Sequence, residues 1–293
     1  DIDVAVVHQA VGGQLVEKGL LEKYRAAINT GSLVSADNAK NALGVNVDGY
    51  VMPMFLSQTA IAYNSDLVST PPKSYDELVQ WSAKNPKAFG YNGIKNGMSG
   101  VSFVVGWIYA YGTDAARLSA QPYDKSVEKS WDQAFAKLKA FNQNVTFTPG
   151  NAGTLDMLSR GEIAMGPVWV DMFYSWRDQG KLPPSIKLTL IAPGMPGQPM
   201  YYVVPAHAAQ AKLAQEFIAL ATSPEVQAQG IVKQFNWYPG IDAKYVKEKL
   251  DAATWQKLFA EISPETLSRY GKSFPINQYF TDIKEGYERQ VSN

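Results

Sequence analysis

The sequence predicts an α/β fold on three observations. The β-branched run "IDVAVVH" is followed by "GGQLVEKGLLEKYRAAI", where Leu15, Leu20, Leu21 and Tyr24 recur at roughly helical spacing. Short apolar runs alternate with such helical patterns along the chain, the grammar of α/β proteins. A Gly/Pro-rich crossing at residues 193 to 199 separates two strand-like runs and marks an internal boundary. At 293 residues the chain has room for one large domain or two of ordinary size, each with its own core.

The elements follow in order. "GYVMPMFLSQTAIAYNSDLV" reads as a strand, with Ile61 and Tyr63 alternating with smaller residues before an Asn-Ser-Asp turn. In "PPKSYDELVQWSAKNP", Ser74 followed three residues later by Glu77 is a capping box, and the helix it opens stops near Asn85-Pro86. "GYNGIKNGMSG" is a glycine-rich loop feeding the apolar run "VSFVVGWIYAYG", whose first amides are placed to face a ligand. Residues 126 to 141 put Val127, Trp131, Phe135 and Leu138 on one face of a helix. "GTLDMLSRGEIAMGPVWV" is a helix and then a strand, joined at Arg160-Gly161 as a C-cap. The last third is mostly helical, with Ser223 capping and Pro224 at the first helical position.

Composition removes several function classes. Lys plus Arg and Asp plus Glu both number 27, so no net charge draws the chain to nucleic acid or an anionic membrane. Without cysteine there are no thiol nucleophiles, disulfides or iron–sulfur ligands. No run approaches the ~20 apolar residues that span a bilayer, and "DIDVAVVHQA" is not a signal peptide. The imidazoles are His8 and His207, there is no H-E-x-x-H or G-x-x-x-x-G-K-[ST], and "GMSGV" fails the G-x-S-x-G elbow at its last position.

Several stretches together carry a family resemblance: "IDVAVVHQAVGGQLVEKGLLEKY", "YVMPMFLSQTAIAYNSDLVSTPPKSYDELVQW", "MLSRGEIAMGPVW" and "APGMPGQPMYYVVPAHAAQAKLAQEFIALATSPEVQAQ". The last is the most specific, a Gly-rich crossing, a strand ending Val-Val-Pro, a helix with Ala214 and Phe217, and then Ser-Pro-Glu-x-Gln. The chain resembles, from residue 1 to about 240, the extracellular solute-binding proteins of bacterial ABC importers. That resemblance implies a two-lobed periplasmic-binding-protein-like fold of type II, with a hinge and an interlobe cleft that closes over a solute. It implies one lobe from residues 1 to 54 plus 199 to 293, another from 55 to 198, and an N-terminal strand and helix ahead of "IDVAVV" that this sequence does not contain. It also implies a small-molecule solute and a membrane permease as partners, no cofactor, no catalysis, and a periplasmic or extracellular, membrane-tethered location.

Candidate ligand-binding residues come from two sources. Trp169 and Asp171, at i and i+2, share a face in extended chain and stand at a strand-to-helix transition, where open α/β sheets bind ligands. A flat indole beside a carboxylate favours an organic cation such as a polyamine, or a sugar or polyol, over an anion; Asp171 as a helix N-cap is the alternative. Phe173 and Trp176 behind them read equally as core. By position, Ser57 and Gln58 (with Met54) follow the first inferred crossing, Ser99 and Gly100 offer hydroxyl and amide donors, and Trp107 and Tyr111 share a helix face from which Tyr109 is excluded. Tyr202 lies on the returning strand, and Trp237 and Tyr238 in "FNWYPG". Two further readings stay open. Asp76 with Glu77, or Glu162 with Asp171, would be the carboxylate pair of a lyase or glycoside-cleaving enzyme. Tyr201 and Tyr202 would hold ferric iron, against which strand neighbours point to opposite faces.

Overall fold

The computed structural model describes residues 1–292. The strands that position the site are β1 (Ala5–His8), β2 (Met52–Asn64), β3 (Phe89–Tyr91), β4 (Val145–Phe147), β5 (Met165–Trp169), β6 (Ile186–Thr189), β7 (Met195–Val203) and β8 (Tyr238–Pro239). The helices are α1 (Gln9–Glu17), α2 (Tyr75–Lys84), α3 (Met98–Tyr111), α4 (Asp132–Asn142), α5 (Asn151–Ser159), α6 (Val170–Asp178), α7 (Ala211–Ala221) and α8 (Asn277–Gln290). The fold is α/β, and the chain divides into two compact units, Asp1–Ser57 with Gln198–Leu258, and Gln58–Gly197 with Phe259–Asn293.

In the first unit β1 runs antiparallel to β7, with Val6 opposite Tyr202 and Val7 opposite Tyr201. Successive side chains alternate faces, so α1 covers the Val7 side. It lies so close that a Cβ on Gly12 would stand 2.9 Å from the Tyr201 ring. Leu21, Ala42, Val47, Val51, Tyr201 and Val203 form the core there. The β8 segment pairs antiparallel with β2, setting Tyr238 against Leu56 and Pro239 against Phe55. Gln227 locks this join: its Nε2 donates to the Met54 and Ala221 carbonyls (3.0 and 3.1 Å), and its Oε1 accepts from the Gly240 amide at 2.7 Å. Gln227 is the glutamine of the Ser-Pro-Glu-x-Gln motif, whose Ser223 caps with Pro224 at the helix start. Gly240 is required because a Cβ there would meet the Pro53 carbonyl at 2.0 Å.

In the second unit the later part of β2 is antiparallel to β5 on one side and β6 on the other. Beyond β5 the sheet continues in parallel through β3 and β4 (Phe89 opposite Met165, Tyr91 opposite Phe147). Helix α3 is apolar on every side and accordingly buried from Ser99 to Tyr109. Its Phe103 packs into an aromatic core with Tyr75, Phe89 and Phe141. Ser74 caps α2, its Oγ accepting from the Glu77 amide at 3.1 Å, as the capping box predicts. Gly161 follows α5 with φ +73°, the left-handed C-cap expected at Arg160-Gly161.

Two expectations are corrected. The helix read over residues 126 to 141 is a 3₁₀ stretch, Lys125–Trp131, followed by α4; Asp124 binds the Ser126 amide and starts the tighter winding. Residues 259 to 293, assigned from sequence to the first lobe, belong to the second unit. There α8 buries Tyr279, Ile283 and Tyr287, and its buried Asp282 accepts from Tyr123 Oη (2.6 Å) and Lys125 Nζ (2.7 Å). No described helix is long and apolar enough to cross a membrane.

Candidate functional site

The three parallel strands of the second unit each run into a helix: β3 leads to α3, β4 to α5 and β5 to α6. Parallel strands share a carboxyl end, so the N-termini of three helices gather along one edge. Open α/β sheets take their ligands at such an edge. Trp169 is the last residue of β5 and the N-cap position of α6, half-buried, with no side-chain cap of its own. Asp171 lies in the first turn of α6, where the helix dipole favours a negative charge. The two belong to this edge, but not as strand neighbours: the chain has turned helical at Val170, so the shared-face argument fails. The N-cap alternative fails too, because Asp171 is already inside the helix. Behind them Phe173 and Tyr174 are core, with the Arg177 guanidinium 4.5 Å above the Phe173 ring, while Trp176 lies toward the far end of α6 beneath Lys181 (5.3 Å).

Ser99 and Gly100 stand at the same edge, but the hydroxyl and amide of Ser99 are engaged within the protein. Ser99 Oγ lies 2.6 Å from Asn151 Oδ1 and 3.2 Å from Asn92 Oδ1, and its backbone amide also donates to Asn151 Oδ1. Asn92 Nδ2 in turn donates to the Lys95 and Gly97 carbonyls. Asn92 and Asn151 therefore clasp the starts of α3 and α5 together. Gly100 is packed so tightly that a Cβ there would fall 2.1 Å from the Gly93 carbonyl. Neither asparagine was singled out from sequence; the signal was an Asn among glycines just ahead of a helical run, as in "GYNGIKNG" and "PGNAG".

Trp107 and Tyr111 do share a face of α3, their rings 4.8 Å apart, but neither belongs to this edge. Trp107 is fully buried, donating Nε1 to the Ala134 carbonyl at 2.9 Å, and is a core residue. Tyr111 closes the opposite end of α3, about 18 Å from Ser99 at 1.5 Å per residue. Its hydroxyl donates to Asp76 at 2.6 Å, and burial followed by the Asp76 contact pushes its pKa well above the usual tyrosine value. Tyr109 donates to the Ser273 carbonyl.

In the first unit, Met54, Phe55, Leu56 and Ser57 are half-exposed in succession, so neither face of β2 is fully covered there. Phe55 carries Trp237 stacked upon it, with Phe235 stacked on Trp237 in turn (5.1 Å), an aromatic step whose outer ring is exposed. Ser57 Oγ donates to the Gln198 carbonyl at 3.2 Å. Tyr238 is buried in β8. Tyr202 is buried against Phe217 of α7, their rings edge-on at 6.1 Å, which raises its pKa by desolvation and leaves it a packing role. Gln58, in the second unit, is likewise buried, with Nε2 donating to the Thr59 and Met195 carbonyls. The first unit has its own strand-to-helix junction at His8–Gln9, where Gln9 lies buried beside the Tyr201 hydroxyl.

The carboxylate pairs do not form an acid/base set. Asp76 is held by Tyr111 and Glu77 by the Lys73 amide at the start of α2. Glu162 pairs with Arg160 before β5 begins and Asp171 follows its end, so a five-residue strand of roughly 13 Å separates them. Glycosidic cleavage needs carboxyls about 5 to 10 Å apart. Tyr201 and Tyr202 point to opposite faces of β7, the former donating to the Asn38 carbonyl. Among the described residues no His, Asp or Glu cluster could hold a metal.

The family model described as "bacterial extracellular solute-binding protein" matches residues 1–257. Among solved structures, the chain is similar to the spermidine/putrescine ABC transporter substrate-binding protein of Streptococcus pneumoniae (TM-score 0.75, 14% identity, covering 99% of this chain and 83% of that one). It is also similar to an ABC transporter protein of Clostridium perfringens (0.73, 20%, 99% and 84%). A third is a solute-binding protein of Thermotoga lettingae bound with α-D-tagatose (0.70, 16%, 99% and 80%). At these identities the likeness is one of fold. No curated protein matches the chain in sequence.

Proposed function

The chain belongs to the family of bacterial extracellular solute-binding proteins, and on that premise we propose that it is the receptor of an ABC importer for a small organic cation, working outside the cytoplasmic membrane. The reading rests on one observation: Trp169 ends β5 half-exposed, with the Asp171 carboxylate in the next turn, at the edge where β3, β4 and β5 all give way to helices. An indole face attracts a cation, and a carboxylate accepts ammonium hydrogen bonds. The spermidine/putrescine relative supports the same class. The chain returns its solute unchanged to a membrane permease, and binding acts by favouring the conformation that the permease recognises.

A second reading, a sugar or polyol, is favoured by the Phe55–Trp237–Phe235 step, whose flat faces suit a pyranose, and by the tagatose-bound relative. Thermal-shift titration with putrescine, spermidine, tagatose and maltose separates the two. At a hundredfold excess over Kd the folded state gains about 2.7 kcal/mol. A shift with the amines alone, with the amine recovered intact, supports the cation reading. A shift with sugars alone replaces it, and consumption of the solute overturns the receptor reading altogether.

A further inference from the structure

Within the first unit, the segment between α1 and β2 folds around an open cleft of about 570 Å³. Lys23, Arg25, Asn29, Ser32 and Asp48 line it together with the apolar Ala26 and Ile28. That volume suits a small organic molecule. Two glycines let the cations lie against the backbone: a Cβ on Gly31 would fall 2.1 Å from the Arg25 carbonyl, and one on Gly49, whose φ is +88°, would meet Lys23 Cε at 2.5 Å. The Arg25 amide joins the two sides by donating to the Gly49 carbonyl at 2.9 Å. The Arg25 guanidinium is itself held at two of its three nitrogens. Nε donates to the Gly31 carbonyl (3.2 Å), and Nη1 donates to the Ala39 carbonyl (3.1 Å) and pairs with Asp48 Oδ1 (3.0 Å). Nη2 has no partner among the described residues. Since 14% of the side chain is exposed, the fork is fixed in orientation before anything binds. Lys23 brings a second positive charge: its Nζ stands 5.7 Å from the Tyr50 ring centroid and forms no ion pair among the described residues. Asn29 and Ser32, both exposed, add an amide and a hydroxyl.

We infer that this cleft is a second binding site, in addition to the Trp169 edge, for a small organic anion carrying one carboxylate. The carboxylate accepts from Arg25 Nη2 and Lys23 Nζ, with Asn29 or Ser32 as a further donor, and the carbon body lies against Ala26 and Ile28. Two cations against the one carboxylate of Asp48 leave a single positive charge for the solute to neutralise. A phosphate dianion would carry a charge too many beside Asp48, and like charges held close together repel. The apolar lining also favours a solute with a carbon body over a bare inorganic ion.

The test is a titration with benzoate, its uncharged isostere benzamide, and inorganic phosphate, followed through the backbone amide NMR signals. Benzoate is expected to shift the signals of residues 23–32 and 48–50 saturably, and benzamide to leave them in place. Lys23→Gln should weaken benzoate binding about fivefold, and Asp48→Asn, which removes the competing carboxylate, should tighten it by about the same factor. Opposite signs follow from the charge of the solute, whereas a purely structural role for the two side chains predicts no such reversal. Absence of benzoate shifts at these residues, an equal response to benzamide, or tighter binding of phosphate than of benzoate overturns the inference, as does an unchanged Kd in both variants. A benzoate response confined to residues 165–175 overturns it as well, and would assign the anion to the Trp169 edge.

Discussion

The Trp237 indole lies parallel to the Phe55 ring, centroids 3.8 Å apart and planes inclined by 7°. The contact joins the turn after the π-helical segment Gln227–Gln234 to the half-exposed stretch of β2. Replacing Trp237 with Ala removes a ring that is only partly buried, at a cost of about 2 kcal/mol to the folded state. Trp237→Phe should recover most of it. Urea denaturation of both variants checks this, and equal midpoints for the two would show that ring stacking is not what stabilises the turn.

Gln227 satisfies three backbone groups with one side chain. Gln227→Leu keeps the volume but strands the Met54 and Ala221 carbonyls and the Gly240 amide, of which each buried group left without a partner costs ~1–3 kcal/mol. The expected loss of two or more kcal/mol should exceed that of Gln229→Leu, an exposed neighbour. Comparable denaturation midpoints for the two variants would contradict the clamp.

The two tryptophans Trp107 and Trp169 should separate in their effects. Trp107→Ala empties a fully buried site and should cost about 3–5 kcal/mol, lowering Tm without acting on a solute directly. Trp169→Ala should leave the apo Tm within a few degrees of the parent while weakening solute binding at least tenfold. Calorimetric Kd values beside Tm values decide the matter; an unchanged Kd for Trp169→Ala removes it from the site.

Stability should fall at alkaline pH. Burial holds the hydroxyls of Tyr24, Tyr75, Tyr91 and Tyr109 well above the ordinary tyrosine pKa, and burial together with Asp282 pushes Tyr123 up to about 12. A raised folded-state pKa contributes stability that is fully present below the unfolded value near 10 and is lost as pH climbs beyond it. The carboxyls of Asp124 and Asp251 are lowered chiefly by local Ser126 and Thr254 hydrogen bonds, but both are exposed and contribute little at the acid end. The urea midpoint should hold up to pH 10 and decline steeply by pH 12. A midpoint that stays level across that interval would show that these hydroxyls do not couple to folding.

Local chemistry in the sequence by itself determined the α/β alternation, the caps at Ser74 and Ser223, the Gly161 C-cap and the opposed faces of Tyr201 and Tyr202, because each depends only on residues a few positions apart. It also placed Trp169 and Asp171 at a strand-to-helix turn, while misjudging where extended chain ended between them. Only the tertiary structure decided which aromatic residues are core. Helix α3 is apolar all round, so no periodicity could tell that Trp107 is enclosed by Phe103 and Phe141. The Asn92–Ser99–Asn151 clasp, the Phe55–Trp237 stack and the docking of α8 in the second unit join residues distant in the chain. Their partners are chosen by packing and by the need to satisfy buried polar groups, and neither leaves a periodic mark on the sequence.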